Sequence, residues 1–170
     1  MSEAFTLYKL IVLYMLGKVD FPLTNGQISE FVLEKGYTSY FTLQQAISEM
    51  ITAGFIREES THNRTLYHLT AEGAETIKFF KSNISPAIRG DVDSFMAEKA
   101  YELKNEVSVK ADYYQNGANE YSVRCQIFES DSTLLDLTIS VPTEKEAISV
   151  ATNWSKKSQE IYAQIMASLL

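Results

Sequence analysis

An α+β fold is predicted by three features of this chain. Residues 38–73 give in order a helix, a sharp stop, a two-stranded hairpin and the start of another helix. Three alternating strands lie between Val107 and Val141, and a long apolar-striped helix follows Thr143. The first feature is the signature of a winged helix-turn-helix. The expected architecture is therefore an N-terminal winged helix-turn-helix over residues 1–83, then a C-terminal α+β domain over 84–170. The latter holds a helical connector, a three-stranded antiparallel meander and a long C-terminal helix.

The N-terminal elements follow from spacing and caps. Leu7, Ile11, Tyr14 and Met15 share one face of a helix running from about Phe5 to Leu16, and Gly17 ends it. Phe21-Pro22 makes an extended link. In Thr24-Asn25-Gly26-Gln27 the Thr24 hydroxyl can accept from the Gln27 amide while the Gln27 side chain reaches back, a capping box that starts a second helix. That helix turns Ile28, Phe31 and Val32 inward and stops at Gly36. Thr38 and Ser39 can cap a third helix with Leu43, Ala46, Ile47, Met50 and Ile51 at helical spacing, ended by Ala53-Gly54. Residues 55–59 and 65–69 are strands flanking the polar tip Ser60-Thr61-His62-Asn63-Arg64, and Thr70 caps the next helix, which reaches about Lys81.

In the second half, Ser85-Pro86 places a cap before a proline at the first helical position, so a helix is expected from Pro86 to about Asn105. Its inward face is Ile88, Val92, Phe95, Met96, Ala100 and Leu103. Val107, Val109, Ala111 and Tyr113 then alternate with polar residues. Tyr121, Val123, Cys125 and Ile127 repeat the pattern, as do Leu135, Leu137, Ile139 and Val141. Asn116-Gly117 and Glu129-Ser130-Asp131-Ser132 mark the turns. Thr143-Glu144-Lys145-Glu146 is a second capping box, opening a helix whose stripe includes Ala147, Ile148, Ala151, Trp154, Ser158, Ile161, Tyr162, Ile165 and Leu169.

Composition bounds the function. A single cysteine, Cys125, cannot form an intrachain disulfide and alternates in phase with buried strand residues. Glu3 precedes the first apolar run and Lys9 interrupts it, which is the wrong order for a signal peptide, and the run is too short to span a bilayer. A cytoplasmic protein without membrane association is expected. Two histidines and one cysteine give neither a metal set nor a nucleophile with its base, and the dispersed glycines form no phosphate loop. No enzymatic activity, metal or cofactor is expected. The net charge is −7; residues 1–83 hold 7 basic against 9 acidic side chains, and residues 84–170 hold 8 against 13. Since phosphate neutralisation dominates DNA affinity, duplex binding would rest on a few placed cations and on dimerisation.

The third helix would be the element that enters a major groove. Its exposed-face candidates are Ser39, Tyr40, Thr42, Gln45 and Ser48, since Gln can bridge adenine N6 and N7 and the hydroxyls can bond bases or phosphates. A neutral solvated face needs the same residues, and Thr38 to Ala53 holds Glu49 and no Lys or Arg. At the wing tip, His62, Asn63 and Arg64 sit where phosphates or a minor groove would be met, although Asn63 also suits a plain turn. Lys35 and Arg57 are secondary phosphate contacts, with Glu58 and Glu59 opposing. Tyr113, Tyr114, Tyr121, Phe128, Trp154 and Tyr162 could line a small-molecule effector site, or simply a core.

The run from Ser39 to Met50, Gly54-Phe55-Ile56, the segment Tyr67-His68-Leu69-Thr70-Ala71-Glu72-Gly73 and Ser85-Pro86-Ala87-Ile88-Arg89 resemble the bacterial domain-of-unknown-function family 4364 over nearly the whole chain. The resemblance implies an N-terminal winged helix and a role in transcriptional regulation, without an established ligand or operator. Tyr67-x-Leu69-Thr70-x-x-Gly73 is also similar to the wing ending of PadR-like and MarR-like repressors. The resulting expectation is a homodimeric, sequence-specific regulator of double-stranded DNA. The alternative is a protein-interaction module on the same scaffold without DNA binding.

Overall fold

The structure is a computed structural model and describes residues 3–130 and 132–170. Among these residues the chain is α+β, with six α-helices and two three-stranded antiparallel sheets. It divides into two compact units. One gathers the chain through Ser60 with Arg64–Lys104; the other gathers Thr61–Asn63 with Asn105–Leu170.

The first unit begins with α1 (Glu3–Gly17), whose residues Leu10 to Leu16 are all buried. A single inward stripe had been expected; instead this helix is surrounded, as a central core helix is. The two-residue strand β1 (Leu23–Thr24) follows, then α2 (Asn25–Glu34) and α3 (Tyr40–Thr52). Strands β2 (Ile56–Ser60) and β3 (Thr65–Leu69) form a hairpin, and β1 joins β3 with Leu23 opposite Tyr67, giving the order β1-β3-β2. Next come α4 (Ala71–Phe80), a 3₁₀ turn over Lys81–Asn83, and α5 (Pro86–Ser108).

The caps explain where these helices start and stop. Thr24 accepts from the Gln27 amide at 3.0 Å while the Gln27 side chain accepts from the Thr24 amide at 2.8 Å. Ser39 caps α3 and Thr70 caps α4. α2 and α3 end alike. Gly36 (φ 68°) and Gly54 (φ 79°) take the left-handed conformation, with Tyr37 N–H bonded to Val32 O and Phe55 N–H to Met50 O.

Helix α5 as far as Lys104 belongs with the first unit, whereas the sequence suggested a division at 83/84. Its Val92, Phe95, Met96 and Leu103 share one buried cluster with α1, α2 and α3. Polar ties reinforce the packing: Tyr37 Oη donates to Asp91 at 2.6 Å, Tyr14 Oη to Asp93 at 2.8 Å, and Gln27 Nε2 to Leu103 O at 3.3 Å.

In the second unit, β4 (Val109–Gln115), β5 (Tyr121–Glu129) and β6 (Ser132–Val141) form the expected meander, in the order β4-β5-β6. Val107 was expected in the first strand; it lies in the last turn of α5 and is buried there. Valine at the end of an apolar helical face satisfies both periodicities, so alternation alone cannot place it. The β5–β6 turn includes Asp131, which lies outside the described residues; Ser130 beside it has φ 52°. Helix α6 (Glu144–Leu169), opened by the Thr143–Glu146 capping box, buries Ala147, Ala151, Trp154 and Ser158 with Ala111, Val123, Cys125 and Ile127. The Trp154 indole donates to Gln126 O at 3.2 Å. Trp154 lies in this core, and Tyr113, Tyr121 and Tyr162 pack against it.

Candidate nucleic-acid interface

Helix α3 is held from below and bare outside. Leu43, Ala46, Ile47 and Met50 are buried, and Phe41, Gln45 and Ser48, spaced four and three apart, form an exposed stripe. Phe41 is 85% exposed and Tyr40 48%, their rings meeting edge-on at 6.0 Å. Phe41 was not among the sequence-derived candidates. Its spacing to Gln45 and Ser48, with no place in the buried set, is the signal that would have found it.

The remaining candidates on α3 have structural work. Ser39 Oγ accepts from the Thr42 amide at 3.3 Å and meets the Thr42 hydroxyl at 3.0 Å, so both serve the cap and Thr42 is half-buried. Glu49 lies beside Gln45, with its side chain 41% exposed. It is paired with Lys9 of α1 at 2.7 Å, and the hydrogen bonds from that ammonium and from Gln45 hold its carboxyl below the usual carboxylate range. The stripe itself carries no charged side chain and flanks one half of an ion pair.

Below α3, Asn25 at the start of α2 joins three elements. Its Nδ2 donates to Gln44 Oε1 at 2.8 Å and to Tyr67 Oη at 2.9 Å, while its Oδ1 accepts from Gln44 Nε2 at 3.1 Å and from the Ser29 hydroxyl at 3.1 Å. Such a satisfied network fixes how α3 sits on α2 and β3.

On the hairpin, Arg57 is exposed beside Glu58, and Glu59 meets His68 Nε2 at 2.8 Å. Arg64 is half-buried at the entry to β3. Lys35, the C-cap of α2, lies 3.9 Å from Asp91. At the tip, the Asn63 amide donates to Thr61 Oγ1 at 3.4 Å, an ordinary turn contact. His62 groups with the second unit. Its ring nitrogen and its amide both bond the Asp112 carboxylate, and its ring stacks on Tyr113 at 3.9 Å. Burial raises the Asp112 pKa, but these His62 bonds and the Tyr113 amide outweigh it and hold the carboxyl below its ordinary value.

Comparison with known proteins adds one decisive match: residues 8–169 fit the family model described as Domain of unknown function (DUF4364). The chain belongs to this family. No curated protein and no solved structure matches it. In this DUF4364 chain no helix among the described residues is long and apolar enough to cross a membrane. Among the same residues no group of three or more His, Cys, Asp or Glu side chains is placed to hold a metal ion.

Proposed function

We propose that the first unit of this DUF4364 protein is a winged helix, similar to those of PadR-like and MarR-like repressors, and that the protein is a homodimeric, cytoplasmic, DNA-binding transcriptional regulator. One observation carries the reading: α3 is capped by Ser39, anchored through Gln44 on its inner side, bare along its outer side, and followed at once by the β2–β3 hairpin. That is the arrangement by which a recognition helix and a wing meet duplex DNA. Tyr40, Gln45 and Ser48 would face base edges, with Ser39 and Thr42 near the helix N-terminus toward phosphate, and Arg57 and Arg64 would meet the backbone.

Dimerisation supplies what the acidic monomer lacks. The second unit offers a surface for a second copy. Burial along α6 ends at Ser158, leaving Met166 and Leu169 37% and 78% exposed, and β6 forms an outer edge of its sheet with Leu134 and Ile139 each 41% exposed. The sole charge on β6, Asp136, is held by Arg124 at 2.6 and 3.0 Å, so little on this edge discourages pairing. A two-fold dimer would double the few cations presented to the duplex.

Two substitutions test the docking. Arg64→Ala should weaken binding to all sequences and flatten the salt dependence by about one phosphate, whereas Gln45→Ala should relax sequence preference. Wild-type binding by both would overturn it.

A second reading has its own observation. A phenylalanine 85% exposed on a helix without cations suits a protein partner better than a phosphate backbone, and the net charge of −7 points the same way. Under that reading Phe41→Ala abolishes partner capture, and no DNA is bound.

A further inference from the structure

Three of the seven cations in residues 1–83 line one pocket of the first unit. Lys18 follows the end of α1, Lys78 lies near the end of α4, and Lys81 opens the 3₁₀ turn. The pocket has a volume of about 280 Å³, and Leu69, Ala74 and Ile77 supply an apolar wall. Neither Lys78 nor Lys81 has an ion-pair partner among the described residues. Lys18 is bonded to Asp93 at 2.9 Å, and Asp93 also accepts from Tyr14. Burial opposes the Asp93 charge, but the Lys18 and Tyr14 hydrogen bonds and the Lys18 and Lys81 charges hold its carboxyl below the ordinary value. Asp93 is thus the hydrogen-bonded counter-ion of Lys18 and also feels the Lys81 charge, while Lys78 and Lys81, neither in an ion pair among the described residues, stand beside the apolar wall in a chain of net charge −7.

A cation near a helix C-terminus is favourable in itself, which accounts for Lys78 on α4. The same holds for Lys81, the C-cap of α4, but it does not account for their sharing one concavity with Lys18, which follows α1, and with a buried isoleucine. Ligand sites combine an apolar lining with a few charged groups, typically in about 300–1,000 Å³, and this pocket is just below that range. That size suits a single-ring or branched aliphatic anion.

We propose that this pocket binds a small organic carboxylate, with Lys78 and Lys81 taking its charge and Leu69, Ala74 and Ile77 its apolar body. The site lies wholly in the first unit and does not depend on whether α3 meets DNA.

The test is titration of the uniformly ¹⁵N-labelled full chain with benzoate, with inorganic phosphate and with benzyl alcohol, at low salt, following backbone amides. Benzoate should shift Gly17, Lys18, Ala74 and Lys78 along one saturating curve. Phosphate and benzyl alcohol should each bind at least tenfold more weakly, because each has only half of the recognition. A Lys78→Ala/Lys81→Ala double variant should lose benzoate affinity at least tenfold while keeping the wild-type spectrum elsewhere, both side chains being exposed. The proposal fails if benzoate gives no saturating shift, if phosphate binds as tightly, which would mean a bare cationic patch, or if benzyl alcohol does. It also fails if the folded double variant binds benzoate like wild type.

Discussion

Gln44 and Asn25 exchange two hydrogen bonds, Asn25 Nδ2 to Gln44 Oε1 at 2.8 Å and Gln44 Nε2 to Asn25 Oδ1 at 3.1 Å, so α3 is tied to α2 by a reciprocal amide pair. Its neighbour Gln45 is exposed and hydrogen-bonds the Glu49 carboxylate. Two adjacent glutamines therefore divide support from presentation.

That division predicts opposite stability effects. Gln44→Ala removes a donor and an acceptor from a partly buried network and should cost about 1–3 kcal/mol in urea unfolding. Gln45→Ala should change stability by no more than about 0.5 kcal/mol, as ordinary surface substitutions do. Equal effects of the two variants would contradict the assignment.

Gly73 marks a close approach of α4 to the backbone. A Cβ there would sit 2.1 Å from Phe55 O and 2.8 Å from Leu69 Cδ1. Gly73→Ala should destabilise by more than about 2 kcal/mol, since the obstacle is backbone that must move. Gly90, in α5 with open space around its Cα, is the control: Gly90→Ala should stabilise by about 0.5–1 kcal/mol. Thermal unfolding of both variants checks the pair.

Cys125 is fully buried in β5, and burial pushes its thiol up to about 11. The native protein should leave a colorimetric disulfide reagent unreacted at pH 8, with one thiol appearing only in denaturant. Rapid stoichiometric labelling of native protein would contradict the packing of the sheet against α6.

His68 is held below the ordinary imidazole value, first by burial and then by the Arg57 charge, while Glu59 faces its Nε2. A base with a lowered folded pKa is neutral in both states at pH 7.5. As pH falls through about 6.5, the unfolded chain takes the proton first and stability drops. The urea midpoint should therefore fall between pH 7.5 and 5.5, and His68→Gln should flatten that part of the profile. An unchanged slope in the variant would show that the ring titrates alike in the folded and unfolded chains, and a steeper fall in the variant would show that Glu59, rather than burial, controls it.

Local chemistry carried most of the fold into the sequence. Both capping boxes, the Ser39 and Thr70 caps and the three alternating strands lie where side-chain type and spacing place them. What was not legible depends on distant partners. Strand β1 is two residues long and exists only because β3 lies beside it. The grouping of α5 with the first unit follows from Val92, Phe95 and Met96 meeting Phe31 and its neighbours, which no local window contains. At the candidate interface, sequence marked the outward turn of Gln45 and Ser48 but not the engagement of His62 with Asp112 and Tyr113. That contact joins residues 50 positions apart.

The most direct test of the central claim is selection of genomic DNA fragments by the purified full-length protein at low salt, followed by a salt titration on whatever is enriched. A dimeric DNA-binding regulator should enrich an inverted repeat with half-sites about one helical turn apart, with an affinity that falls steeply as salt rises. Failure to enrich any sequence, by protein shown to be folded, would contradict that reading and leave the exposed Phe41 face as a surface for a protein partner.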